Sequence, residues 1–141
     1  MDEIRQALAQ TALFSGLDPA TIDLLAATVR KRTLGSGEYL FRQGAPREAL
    51  YLVADGQVEI SREGAGASQS LIVLGPGDAA GEGALLHAAN HTTSARAISR
   101  AAVYELRRDA LRDALAASAP AAIEVLTRVA VTIGRRLQYA S

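Results

Sequence analysis

The segment Leu74-Gly75-Pro76-Gly77-Asp78-Ala79-Ala80-Gly81-Glu82-Gly83-Ala84-Leu85-Leu86 carries the most information in this 141-residue chain. Gly75-Pro76-Gly77 is a turn signal, and Gly81 permits a close backbone approach because it has no Cβ. The spacing after it predicts a short helical turn opened by Glu82 and running through Leu86. Amides at the start of such a turn have no intrahelical acceptor and form a ready anion site. A carboxylate in that place is unexpected unless Glu82 accepts hydrogen bonds from a sugar hydroxyl while the amides of Ala84 and Leu85 hold a phosphate. A ribose phosphate presents both groups within a few ångströms. The plainer reading of Glu82 is a carboxylate that complements a helix dipole.

Working outward, short apolar and β-branched runs alternate with glycine turns over residues 31–107. The clearest are Leu50-Tyr51-Leu52-Val53, Val58-Glu59-Ile60, Leu71-Ile72-Val73 and Val103-Tyr104-Glu105-Leu106. Strands at this spacing predict a barrel or sandwich. Helical patterns flank them. Residues 1–30 carry two: a first with Ile4 and Leu8 on one face, and a second capped by Asp18-Pro19 with Ile22, Leu25, Ala26 and Val29 as its buried stripe. Residues 108–141 carry a short helix capped by Asp109, then a longer one from Ser118-Ala119-Pro120 to about Gln138. In the latter Ile123, Leu126, Ala130, Ile133 and Leu137 step by 3 and 4, a seam that suits packing on the chain's own barrel or on a second copy. Packing on its own barrel is the reading preferred here, since the seam is short. The expected organisation is one domain over 1–141.

Lys plus Arg and Asp plus Glu both number 15, so the formal charge is zero, and 49% of residues are hydrophobic. Zero net charge argues against broad affinity for nucleic acid or anionic membrane. Arg30-Lys31-Arg32 reads as a solvated strand edge, and alanine as the filler of helix interfaces. There is no cysteine, hence no disulfide or thiolate site. No signal peptide or membrane-length apolar run is evident, and a cytoplasmic location is expected.

Leu34-Gly35-Ser36-Gly37-Glu38-Tyr39-Leu40-Phe41-Arg42-Gln43-Gly44, then Leu50 to Val53, then Gly56 to Ile60, resemble the glycine-spaced strands of cyclic-nucleotide-binding domains. Pro76-Gly77-Asp78, Gly81-Glu82 and Ala84-Leu85-Leu86 resemble that family's phosphate-binding cassette. Gly134-Arg135-Arg136-Leu137-Gln138 is similar to the helix after the barrel in Crp/Fnr-type regulators. The resemblance implies a mainly β fold with flanking helices: a jelly-roll-like β-roll (double-stranded β-helix) with N-terminal helices, a short cassette helix and a C-terminal helix. It implies a non-enzymatic sensor for cyclic AMP or cyclic GMP that reports through the C-terminal helix, with no resident cofactor or metal. Its ligand contacts would be Gly81, Glu82, Gly83, Ala84, Leu85, His91 and Thr92, with Arg136 added if the last helix folds over the pocket.

The chain departs from the family at position 91, where His91 stands in place of an arginine that grips the cyclic phosphate. Neutral imidazole cannot make a two-pronged contact. Arg96, an odd number of residues away, would point to the opposite face of a strand. His91 is thus either a phosphate donor or the mark of a retired site, and the alternative function is an interaction module or a sensor of another phosphorylated or cyclic dinucleotide ligand. His87 and His91 have helical metal-ligand spacing, but two histidines alone make a weak metal site, and no nucleophile–base pair is evident. No recognition helix follows Gln138 in this sequence, so direct DNA binding is not expected of it, nor is membrane association. The expected partners are a cyclic nucleotide and either a second copy, through the C-terminal helix, or an effector protein.

Overall fold

A computed structural model of the chain describes residues 2–81 and 89–140, apart from the side chains of 133 and 136–140. Among the described residues the strands are β1 (Val29–Leu34), β2 (Tyr39–Phe41), β3 (Ala49–Asp55), β4 (Val58–Gly64), β5 (Ala67–Leu74), β6 (Ala79–Ala80), β7 (Ser94–Ala97) and β8 (Ala101–Arg107). The helices are α1 (Asp2–Gln10), α2 (Pro19–Ala26), α3 (Arg108–Ala116) and α4 (Ala119–Ala140). The strands pair antiparallel into two four-stranded sheets, in the orders β1-β8-β3-β6 and β2-β7-β4-β5. This is the expected β-roll with flanking helices.

Period-two alternation divides β3 and β8 between two cores. Leu50, Leu52, Tyr104 and Leu106 face the helices, where they meet Phe14, Leu25, Leu111, Val125 and Val129. Tyr51, Val53, Ala101 and Val103 face the opposing sheet, with Leu34, Leu40, Phe41, Val58 and Leu74. Fully burying one such large side chain stabilises by ~1.5–3 kcal/mol, so both faces of the first sheet are strongly specified. Alanine does not serve helix interfaces alone. Ala49, Ala80, Ala95, Ala97 and Ala101 all lie between the sheets, where short side chains fill little of the interior.

The helix boundaries differ from the sequence reading in two places, at Val29 and Asp109, and the expected cap at Asp18 makes a different contact. Val29 begins β1 and pairs with Leu106 rather than extending α2. Asp18 occupies the N-cap of α2 with Pro19 behind it, but its side chain makes no cap hydrogen bond. Instead its backbone N–H donates to the Glu124 carboxylate on α4. Asp109 lies inside the first turn of α3, whose N-cap is Arg107, because β8 runs directly into the helix and leaves no loop for a capping residue. The start of α4 is as read, with Ser118 Oγ accepting from the Ala121 N–H at 3.3 Å.

The seam on α4 faces the other way from the preferred reading. The residues that pack on the body of the molecule are Ala121, Val125 and Val129. Ile123 is 69% exposed, and Leu126 and Ala130 are exposed as well. Arg128 and Glu124 set this rotation: the Arg128 guanidinium donates to the Ala12 carbonyl, and Glu124 accepts from Asp18. Both contacts tie the flank beside Val125 and Val129 to the segment between α1 and α2.

Candidate functional site

The inner face of the first sheet is apolar at one end and charged at the other. Register explains this. Leu34 pairs with Ala101 and Arg32 with Val103, while Ala49 pairs with Arg107 and Tyr51 with Glu105. Along β1 and β8 every second residue shares the interior side, which brings Arg32, Glu105 and Arg107 to the same rim as Ala49 and Tyr51. The expectation that Arg30-Lys31-Arg32 is merely a solvated edge is therefore wrong for Arg32. Its guanidinium lies 4.0 Å from Glu105 and donates to the carbonyls of Tyr39 and Leu40.

At this end lies a cavity of about 240 Å³. A register shift in β2 between Tyr39 and Phe41 marks a β-bulge, which lets the successive residues Leu40 and Phe41 both turn inward. The His91 ring lies parallel on Phe41, with centroids 3.7 Å apart and planes at 10°, and Phe41 stands 5.8 Å from Tyr51. The backbone of His91 is pinned to the β2–β3 connection: its N–H donates to the Ala45 carbonyl, and its carbonyl accepts from the Gly44 N–H. His91 is 5% exposed, and among the described residues its imidazole has no hydrogen-bond partner. Burial, then the Arg47 charge, pushes its pKa below the ordinary value, opposed by Glu48. Its proton affinity is thus reduced where a phosphate-gripping cation would be wanted. Burial, and next the Glu105 carboxylate, raise the Tyr51 hydroxyl, so it stays protonated as a donor.

Gly81 lies close to Tyr51 and His91. Its φ is +76°, and a Cβ there would stand 3.0 Å from the Ala49 carbonyl oxygen, 3.7 Å from the Tyr51 ring and 3.8 Å from His91 Cε1. The entry to the cassette segment therefore lies one side-chain carbon's reach from the histidine. Glu82, Gly83, Ala84 and Leu85, along with His87 and the predicted cassette helix, lie outside the described residues. Thr92 is exposed. Arg136 lies on α4 with its side chain outside the description. Arg96 does face away from His91: it is exposed, 3.7 Å from Glu59 and close to the Tyr39 ring. Among the described residues no group of three potential metal-ligating side chains comes together.

Phe41, Tyr51 and the Arg32–Glu105–Arg107–Glu48 charge chain were not singled out from the sequence. Glu105 and Arg107 share a strand face by simple alternation. Their meeting with Arg32 and Glu48 depends on which strands are neighbours, and that is not readable from spacing.

Comparison with known proteins agrees with this architecture. The model of the cyclic nucleotide-binding domain family matches residues 31–118. A CRP-like cAMP-activated global transcriptional regulator of Mycobacterium tuberculosis is 32% identical over 139 residues, covering 98% of this chain and 59% of that protein. The N-terminal domain of a transcriptional regulator from Streptomyces coelicolor superimposes with a TM-score of 0.84 at 27% identity, covering 96% of this chain and 95% of that one. The regulatory domain of Toxoplasma gondii PKA, solved with cAMP, superimposes with a TM-score of 0.74 at 29% identity, over 79% and 43% of the two chains. The chain thus spans about 59% of the Mycobacterium regulator's length. On fold, matched span and identity, this chain belongs to the cyclic nucleotide-binding domain family, in its Crp-like branch.

Proposed function

We propose that this domain is a non-enzymatic cytoplasmic sensor that binds cyclic AMP or cyclic GMP and reports it through α4. The observation that carries the reading is that His91 and Tyr51 line one cavity of the β-roll and that a Cβ at Gly81 would reach both of them. The cyclic phosphate would sit at the Gly81–His91 end. Amides of the cassette, Gly83, Ala84 and Leu85 among them, would hold it, with the Thr92 hydroxyl beside them. Glu82 would accept from the ribose hydroxyl, and Arg136 would close over the ligand from α4. The names of the Mycobacterium and Toxoplasma relatives support cyclic AMP as the first ligand to test.

Signal output through α4 is supported by its double attachment. Val125 and Val129 tie it to the helical core, and Glu124 and Arg128 hold the segment before α2. Its outer face leaves Ile123, Leu126 and Val131 exposed, which supports a homodimer formed along this helix. The zero net charge of this domain gives it no broad electrostatic affinity for DNA.

One observation favours a second reading. A buried histidine of lowered pKa, stacked flat on Phe41, also suits a fold retained as a protein-interaction module without a nucleotide. A thermal-shift series with cyclic AMP, cyclic GMP and cyclic dinucleotides separates the two. A ligand at 100 times its Kd stabilises the fold by ~2.7 kcal/mol, a clear melting shift. No shift with any of them at pH 6 or pH 8 would remove the sensor reading.

A further inference from the structure

We infer that Arg107, one strand away from Gly81, is the cation that meets the ligand's phosphate where position 91 offers only an imidazole. The inference rests on the cyclic-nucleotide reading above and adds a binding residue to it.

Three observations converge on Arg107. The first is a cavity with unspent polar groups. The Tyr51 side chain (residue 6% exposed) and the His91 imidazole both border it, and neither has a hydrogen-bond partner among the described residues. Both can hydrogen-bond a group that enters the cavity. The second is position. Ala49 lies between Gly81 and Arg107: its carbonyl oxygen is 3.0 Å from where a Gly81 Cβ would be, and Arg107 is its cross-strand partner on β8. Arg107 also lines the same cavity as His91.

The third is the state of the guanidinium itself. Arg32 is committed, since it donates to two backbone carbonyls. Arg107 stands 3.9 Å from Glu48 and 3.8 Å from Glu105 and, among the described residues, donates no side-chain hydrogen bond. Those separations give charge attraction without hydrogen bonds. The Glu48 carboxylate is 60% exposed and returns to water at little cost when displaced. Glu105, 14% exposed, keeps Arg32 as its partner. A phosphate can thus replace Glu48 on Arg107 and gain a two-pronged, charge-assisted contact.

The test is calorimetric titration of cyclic AMP and cyclic GMP at pH 8, where His91 is neutral, into wild type, Arg107→Ala, Glu48→Gln and the double variant. Thermal melts verify that each is folded. Arg107→Ala should weaken binding about tenfold or more. Glu48→Gln should tighten it several-fold by releasing Arg107, and this gain should vanish in the double variant. Glu48→Gln keeps the proposal testable even if Arg107→Ala fails to fold. Two results overturn the assignment alone: Arg107→Ala binding within twofold of wild type, or a Glu48→Gln gain that persists without Arg107, which would be simple relief of repulsion. If wild type binds neither nucleotide at pH 8 or pH 6, the sensor reading falls and takes this assignment with it.

Discussion

Gly81→Ala probes the fold and the site with a single methyl group. At φ +76° an alanine adopts a left-handed conformation, at a cost of ~1–2 kcal/mol. Its Cβ would also press on the Ala49 carbonyl oxygen at 3.0 Å, so β3 must yield by a few tenths of an ångström, and overpacking of that kind costs ~1–3 kcal/mol. Gly37→Ala is the control, because its φ is +88° and a Cβ there meets nothing within 4 Å. Both substitutions stiffen the unfolded chain equally, so that contribution cancels in the comparison. Urea unfolding should therefore place Gly81→Ala about 1–3 kcal/mol below Gly37→Ala, with both still folded given the usual 5–15 kcal/mol of roughly estimated total stability. The added methyl would lie beside the Tyr51 ring and His91 Cε1, where the phosphate is proposed to sit. Titration with cyclic AMP should show at least about a tenfold loss for Gly81→Ala and no loss for Gly37→Ala. Equal stabilities would contradict the close approach of Gly81 to β3. Undiminished binding by folded Gly81→Ala would place the phosphate elsewhere.

His91 has a lowered native pKa, so the unfolded chain holds more protons and stability rises with pH. Stability should be lost as pH falls through the unfolded value of about 6.5 toward the lower native one, and His91→Gln should flatten that part of the profile in urea titrations. A bound phosphate reverses the balance by favouring imidazolium. Cyclic AMP should then bind tighter at pH 6 than at pH 8 with proton uptake, and His91→Arg should tighten binding at pH 8 by ~1–3 kcal/mol; calorimetry in buffers of different ionisation enthalpy measures both. Glu82→Ala should leave the melting temperature unchanged and weaken a ribose-containing ligand by ~1.5–3 kcal/mol, and unaltered affinity would exclude Glu82 from sugar recognition. Ile123→Glu should alter monomer stability by no more than about 0.5 kcal/mol, since the side chain is exposed, yet shift sedimentation toward the monomer. A dimer that survives it is not built on this face of α4.

Local chemistry made much of this molecule legible in advance. Short apolar and β-branched runs between glycine turns located β3, β4, β5 and β8, and Ser118-Ala119-Pro120 located the start of α4, because strand preference, turns and capping depend on neighbours in the chain. Glycine at 81 and histidine at 91 were both identifiable through the family pattern, and the fold places them close enough that a Cβ at Gly81 would reach the imidazole. What lay beyond reach was set by pairing between distant segments. Whether the 3–4 seam of α4 or the stripe through Val125 and Val129 turned inward was decided by Ala12 and Asp18, more than a hundred residues away in sequence. Alternation alone puts Glu105 and Arg107 on one face of β8. Only the β1-β8-β3 order brings Arg32 and Glu48 to them and gives the interior its charged end. The lowered proton affinity of His91 is likewise a tertiary property, because it comes from burial against Phe41 and the nearness of Arg47 and not from anything adjacent in the chain.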